Sequence, residues 1–234
     1  MKHQYFGDVN DYVKYGLLRC FAEAGFRVGI CWMLTPEDQK PEGQRTKYLS
    51  QPEKWGHHDA NLYSLLSRVV PRTNGKHLCH IEAKGAIPNA MFFGDIVPDI
   101  KINRSVWYKR ALATLNGSEV LFFDPDNGIE VPSKPMGRKE SSKYIYWEEL
   151  QAAWKQNASL LVFQHFPRMK RTEYIPAMVQ EMRARLKGSS IVPLRSSNIL
   201  FLLAHRSSDS SRINNVLKLI NSRWTRRVWD HRAT

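Results

Sequence analysis

Four near-continuous apolar runs, RVGICWML (27–34), EVLFFD (119–124), SLLVFQHF (159–166) and NILFLLAH (198–205), lack the polar alternation of a half-wetted strand. Strands of that kind must be covered on both faces, so the chain has to supply helices to both sides of a sheet. The intervening stretches can do this. Residues 8–25 read as a helix, with Asp8 or Asn10 as cap, Tyr12, Val13, Leu17, Leu18 and Phe21 on one face and Gly25 as terminator. Helical spacing recurs over 59–70, 104–115, 146–156, 171–188 and 209–222. SSIVPLRS (189–196) and NILFLLAH read as two strands joined by a short turn, adding an antiparallel edge. HLCHIE (77–82) reads as a short strand, whereas TPEDQKPEG (35–43) and IPNAMFFGDIVPDI (87–100) read as Pro-containing connections. Residues 1–234 are therefore expected to form a single α/β domain, a three-layer sandwich with a mostly parallel central sheet flanked by helices.

No apolar run approaches the roughly 18 residues of a membrane span, and MKHQYFGDVNDY has no apolar core of a signal peptide. The expectation is a cytoplasmic protein without membrane contact. Cys20, Cys31 and Cys79 are too few and too dispersed for a disulfide framework and are expected as buried thiols. Charge is more telling, because 35 Lys plus Arg against 22 Asp plus Glu leave +13. Much of the excess falls in KPMGRKESSK (134–143), PRMKR (167–171) and RWTRRVWDHR (223–232). Such clusters also occur on solvated and membrane-surface faces, but a polyanion is the natural partner of a field of that sign, and DNA is the expected one. Lys14, Arg138, Lys139, Lys143, Arg168, Lys170 and Arg171 are the expected nucleic-acid contacts, the last three aided by the helix they open.

Sites in layered α/β folds lie beyond the carboxyl ends of the strands, which singles out TPED, DPDNG (124–128) and QHFPR (164–168). DPDNG has two readings. Asp-Pro and Asn-Gly are turn dipeptides, so the loop can be a hairpin. It also sets Asp124, Asp126 and Asn127 together in a basic protein, where they can orient water or bond a base edge. His165 follows the neighbouring strand and can face Asp124. YFGDVNDYVKYG (5–16) crowds Tyr5, Phe6, Asp8, Asn10, Asp11 and Tyr12 into one segment, either a capped helix with an aromatic staple or the wall of a pocket for an extruded base. His57, His58 and Asp59 are adjacent and lack the spacing of a zinc site, so no metal is expected. No Ser, His and acid spacing marks a hydrolase elbow.

FDPDNG and QHFPR together resemble the uracil-DNA glycosylase superfamily, in which one loop holds the water-orienting residue and a His-Pro-Ser type loop supports the departing base. Here the second loop lacks that Ser. The resemblance implies that Asp8, Asp124 or Asn127 places the water and that His165 stabilises the leaving base. It extends to defence glycosylases that excise modified cytosines from phage DNA. FFDPDN also resembles the Asp-Pro-Pro-Tyr motif of S-adenosylmethionine-dependent amino-methyltransferases, and GDVNDYVKYGLLR with GICWMLTPEDQ is similar to the opening of small ribosomal-RNA adenine methyltransferases. Here Asn127 replaces the stacking aromatic, and no Gly-x-Gly loop follows the first strand.

The expected activity is hydrolysis of the N-glycosidic bond of a flipped base in DNA. Asp8, Asp124, Asn127 and His165 would be catalytic, Tyr5, Phe6, Asn10, Asp11, Tyr12 and Asp126 would line the base pocket, and no cofactor would be required. The alternatives are base methylation and non-catalytic nucleic-acid binding.

Overall fold

The computed structural model describes all residues except 39–42, 73–75, 84, 226 and 231–234, and for Trp229 the backbone alone. Among the described residues the strands are β1 (Val28–Cys31), β2 (Met91–Phe93), β3 (Val120–Phe123), β4 (Gly128–Ile129), β5 (Tyr144–Ile145), β6 (Ser159–His165), β7 (Ser190–Arg195), β8 (Ile199–His205) and β9 (Trp229–Asp230). The helices are α1 (Val9–Glu23), α2 (Pro52–Trp55), α3 (Ala60–Val69), α4 (Cys79–Glu82), α5 (Lys101–Thr114), α6 (Trp147–Trp154), α7 (Arg171–Arg185) and α8 (Ser210–Arg223).

Seven strands form the central sheet in the order β2-β1-β3-β6-β8-β7-β9. β2, β1, β3 and β6 pair in parallel, β8 runs against both β6 and β7, and β9 runs against β7. The reversed strand thus lies inside the sheet, and β9 is its antiparallel edge. The continuous apolar runs are explained by burial on both sides: every residue of β1 and β3 is buried. Alternate side chains feed two cores. Val28, Ile30, Phe122, Leu161 and Phe201 pack with α1, α3 and α8, whereas Cys31, Leu121, Phe123, Val162 and Leu202 pack with α5, α6 and α7. The architecture is a three-layer α/β sandwich.

Three expectations, on HLCHIE, the 87–100 connection and the burial of Cys79, are corrected, and the hairpin reading of DPDNG is set aside. HLCHIE is the helix α4, because Leu78 and Ile81, three residues apart, are the positions that bury, which is helical rather than alternating spacing. The 87–100 connection contains β2, an edge strand of three residues whose first two side chains are only half-buried. DPDNG is not a hairpin: β4 leaves β3 and pairs in parallel with β5 in a separate two-stranded sheet. Gly128 allows this departure through its φ of +126°, and a Cβ there would lie 2.3 Å from the Gln164 amide oxygen. Gln164 then joins the two segments, accepting from the Ile129 N–H at 2.7 Å and donating to the His165 carbonyl at 2.8 Å. Of the cysteines, Cys20 and Cys31 are buried, but Cys79 is exposed on α4. Among the described residues no helix is long and apolar enough to cross a membrane.

Candidate active site

From β1 the chain passes to β2 on one side and then returns to β3 on the other, so strand order reverses between β1 and β3. Ligands in open α/β sheets bind outside the carboxyl ends of the strands at such a switch point. A cavity of about 390 Å³ opens there, lined by Met1, Tyr5, Asp8, Asn10, Asp11, Lys14, Gly43, Gln44, Arg45, Asp124, Pro125, Asp126, Phe163 and His165.

Its inner wall is a buried ionic cluster. Lys14, 3% exposed, donates to Asp124 Oδ2 at 2.6 Å and to Asp11 Oδ1 at 3.0 Å, and its ammonium lies 5.0 Å from the centre of the Phe163 ring. The Tyr15 hydroxyl donates to Asp11 Oδ2 at 2.9 Å. The cluster is assembled by α1, which turns Asp11, Lys14 and Tyr15 to one face at spacings of three and four. Burial raises Asp11 to about 6, against the pull of Lys14. Burial alone would lower Lys14, but Asp11 and Asp124 outweigh it and hold the ammonium protonated. His165 is lowered by desolvation and then by the Lys14 cation, which favours the neutral imidazole.

Met1 enters the same crevice. Its ammonium donates to the carbonyls of Met33 and Asp124, both at 3.2 Å, and lies 3.7 Å from Asp126 Oδ1. Its thioether sulfur lies 3.6 Å from Lys14 Nζ. Met33 supplies its carbonyl from a left-handed conformation, φ +46°, rare for a side chain of that size and of the kind found at functional sites. Asp126 Oδ1 is buried without a hydrogen-bond partner among the described residues.

Several expected site residues meet here: Tyr5, Asp8, Asn10, Asp11, Asp124, Asp126 and His165 all line the cavity. Others do not. Asn127 stands outside the lining; its N–H donates to the Lys143 carbonyl at 2.8 Å and its carbonyl accepts from the His165 N–H, so the backbone makes these contacts. Phe6 is fully buried, its ring 5.5 Å from that of His80. Tyr12 is core as well, stacked on Tyr48 and donating to the Trp55 carbonyl at 2.9 Å. Lys14 is no phosphate contact, since both carboxylates claim it. Asp8 is occupied as the α1 cap, accepting from the Asn10 N–H at 2.9 Å, and by the Arg45 guanidinium. Met1 and Arg45 are cavity residues that the sequence did not signal, because no local pattern points to them.

Two basic loops lie outside the cavity lining, one tied to the Asn127 backbone through the Lys143 carbonyl and the other continuing from His165 at the end of β6. In the first, Glu140 takes Lys134 and Lys143 as partners, while Arg138 and Lys139 are exposed and have no acidic partner among the described residues. Its base is fixed by buried Arg104, which donates to both Glu149 oxygens at 2.7 and 3.0 Å and to the Ser141 carbonyl at 3.0 Å. In the second, Arg168 is exposed, Lys170 lies 3.6 Å from Glu173, and Arg171 sits over the Phe166 ring. The expected cluster at 223–232 falls partly outside the described residues.

No protein-family model matches the chain, and no curated protein matches it. Among solved structures, the chain is similar to human methyltransferase-like protein 13 in complex with SAH, at 10% identity over 93% of each chain with a TM-score of 0.35. At that level nothing about the reaction carries over from it.

Proposed function

We propose that the protein is an S-adenosylmethionine-dependent methyltransferase acting on an exocyclic amine of a nucleic-acid base. The observation that carries this reading is the set of acceptors, the Met33 and Asp124 carbonyls and the Asp124 and Asp126 carboxylates, gathered at the switch point. At the switch point the Met33 and Asp124 carbonyls accept from an amino group at 3.2 Å with the Asp126 carboxylate beside them, so the crevice offers acceptors for the amino group of such a donor. Asp126 Oδ1, with no hydrogen-bond partner among the described residues and the Met1 amino group 3.7 Å away, adds an acceptor for a further ligand N–H or O–H. When bound, the donor supplies an electrophilic methyl group.

The chain's own groups do the rest. The Met33 and Asp124 carbonyls hold the amino group, in place of the backbone approach that a Gly-x-Gly loop would provide. Lys14 fixes the Asp124 carboxylate through Oδ2; the other oxygen, without a hydrogen bond among the described residues, accepts from the amino group of the target base and orients its lone pair. Tyr5 and Phe163 offer aromatic surface to the base, and Arg138, Lys139, Arg168 and Arg171 meet phosphates outside.

Hydrolysis of a glycosidic bond is the second reading. It is favoured by Asp8, Asp124 and His165 sharing one cavity, but Asn127 is not there to help place a water. The deciding experiment titrates the protein with S-adenosylmethionine by calorimetry and incubates it with nucleic acid and isotopically labelled donor. Binding with label transfer that Asp124→Asn abolishes supports the proposal. Donor-independent abasic sites would move the assignment to the glycosylase, and neither activity would leave a binding protein.

A further inference from the structure

Large apolar side chains that stay exposed are few among the described residues, and most of them fall in one place. Ile96, Ile100, Ile102 and Val106 are each more than half exposed, Ile102 at 74%, within a short stretch of chain. Single exposed aliphatics are ordinary, whereas a cluster of them marks a contact surface. On α5, Ile102 and Val106 stand four residues apart on the ridge opposite the buried Arg104, Tyr108 and Ala111, and exposed Ala113 continues it. The ridge is held firmly at both of its approaches. Asp95, next to Ile96, accepts from Trp107 Nε1 through its carbonyl at 3.1 Å and pairs with the Arg110 guanidinium at 2.6 Å. The Asp99 carboxylate, next to Ile100, accepts from the N–H groups of Glu140 and Ser142 at 2.9 and 2.6 Å. A face fixed in this way loses little entropy on binding.

The free charges beside the ridge are of one sign. Helix α5 contains no acidic residue, and its exposed Lys101 and Lys109 have no acidic partner among the described residues. We propose that this face docks an amphipathic helix of a partner protein, with the partner's apolar stripe on Ile102 and Val106 and its bordering Asp or Glu side chains on Lys101 and Lys109. A second copy of the chain fits poorly, because a two-fold contact sets the same cations against one another. A bilayer fits poorly as well: the large side chains of α5 that would anchor it in lipid, Trp107 and Leu112, are buried in the core. Strand β2, the adjoining sheet edge, offers only three residues for an added strand. None of these residues lines the cavity, so docking and chemistry are separable.

The test titrates the full chain into two fluorescein-labelled peptides and reads anisotropy. Both peptides have about 18 residues, enough to form a helix, and share one stripe of Leu at helical spacing, bordered by Glu in the first and by Lys in the second. The Glu peptide should bind at least tenfold more tightly than the Lys peptide. Ile102→Ser/Val106→Ser should weaken its binding at least tenfold, and Lys101→Glu/Lys109→Glu should invert the preference between the two. Because all four side chains are exposed, both variants should keep the wild-type urea midpoint. Failure to bind either peptide, equal affinity for both, or binding that neither variant alters overturns the proposal. It is overturned equally by binding to vesicles of equimolar phosphatidylcholine and phosphatidylserine, or by a dimer in sedimentation velocity, that Ile102→Ser/Val106→Ser removes, since the face then serves a bilayer or a second copy.

Discussion

Lys14→Met tests the account of the buried cluster most directly. At an effective dielectric of about 20, contacts of 2.6 and 3.0 Å correspond to roughly 6 and 5.5 kcal/mol of attraction, against a desolvation cost of several kcal/mol per ion. The net worth of the cluster is therefore small. Removing the cation is a different matter, because Asp11 and Asp124 are then buried side by side without it, and breaking a buried pair in this way costs about 3–5 kcal/mol. Even beside Lys14, Asp11 stands at about 6 rather than 3.8, which at about 1.36 kcal/mol per pH unit disfavours the folded state by about 3 kcal/mol above pH 6. A carboxyl whose folded pKa is raised binds its proton more tightly when folded, so stability falls as pH rises from the unfolded toward the folded value. Without Lys14 the folded value of Asp11 rises further and the window extends upward. Urea unfolding should accordingly show a deficit of about 3–5 kcal/mol at pH 8 that shrinks markedly by pH 5. Adding Asp11→Asn should recover part of the pH 8 loss. A deficit below about 1 kcal/mol, or one equal at both pH values, would refute the argument.

Three other outcomes follow from the same geometry. Asp124→Asn should lower methyl transfer by about 10²- to 10⁴-fold, whereas Asn127→Ala, whose contacts are made by backbone, should change it less than about threefold; equal losses in initial-rate assays would contradict the site. Gly128→Ala should cost about 2 kcal/mol through its positive φ and the collision with Gln164, and an unchanged urea midpoint would count against that explanation. Replacing Arg138, Lys139, Arg168 and Arg171 by Gln should lower the salt dependence of single-strand binding by about 0.7 per lost phosphate contact; fluorescence titrations with an unchanged slope would exclude these loops as the interface.

The sheet was legible wherever burial on both faces wrote an unbroken apolar run, as in β1, β3, β6 and β8. It was illegible at β2, where edge position leaves Met91 and Phe92 half-buried and removes the pattern. Helix α1 was readable because its cap Asp8 and terminator Gly25 are local signals. At the site, the rule of strand ends sufficed to choose Asp124, Asp126 and His165. Lys14 was misread because Asp124, the partner that buries it, is 110 residues away, while its local partner Asp11, three residues before it, reads equally as an exposed helix pair. Met1 and Arg45 were missed for the same reason, their neighbours being set by topology. Asn127 was over-read: its side-chain chemistry suits a site, but its backbone is what the loops use.

The pairing of β1 with β3, across the whole of residues 32–119, bears on the order in which the molecule is made. Strands β7 and β8 need little more than a tight turn to meet, whereas the two strand ends that floor the cavity must close a long intervening loop, a slow event in folding. During synthesis α1 leaves the ribosome early with Asp11 and Lys14 on its surface, and Asp124 follows much later. Until then the growing chain carries the Asp11 and Lys14 pair on a helix whose apolar face still lacks its sheet, a segment suited to chaperone capture.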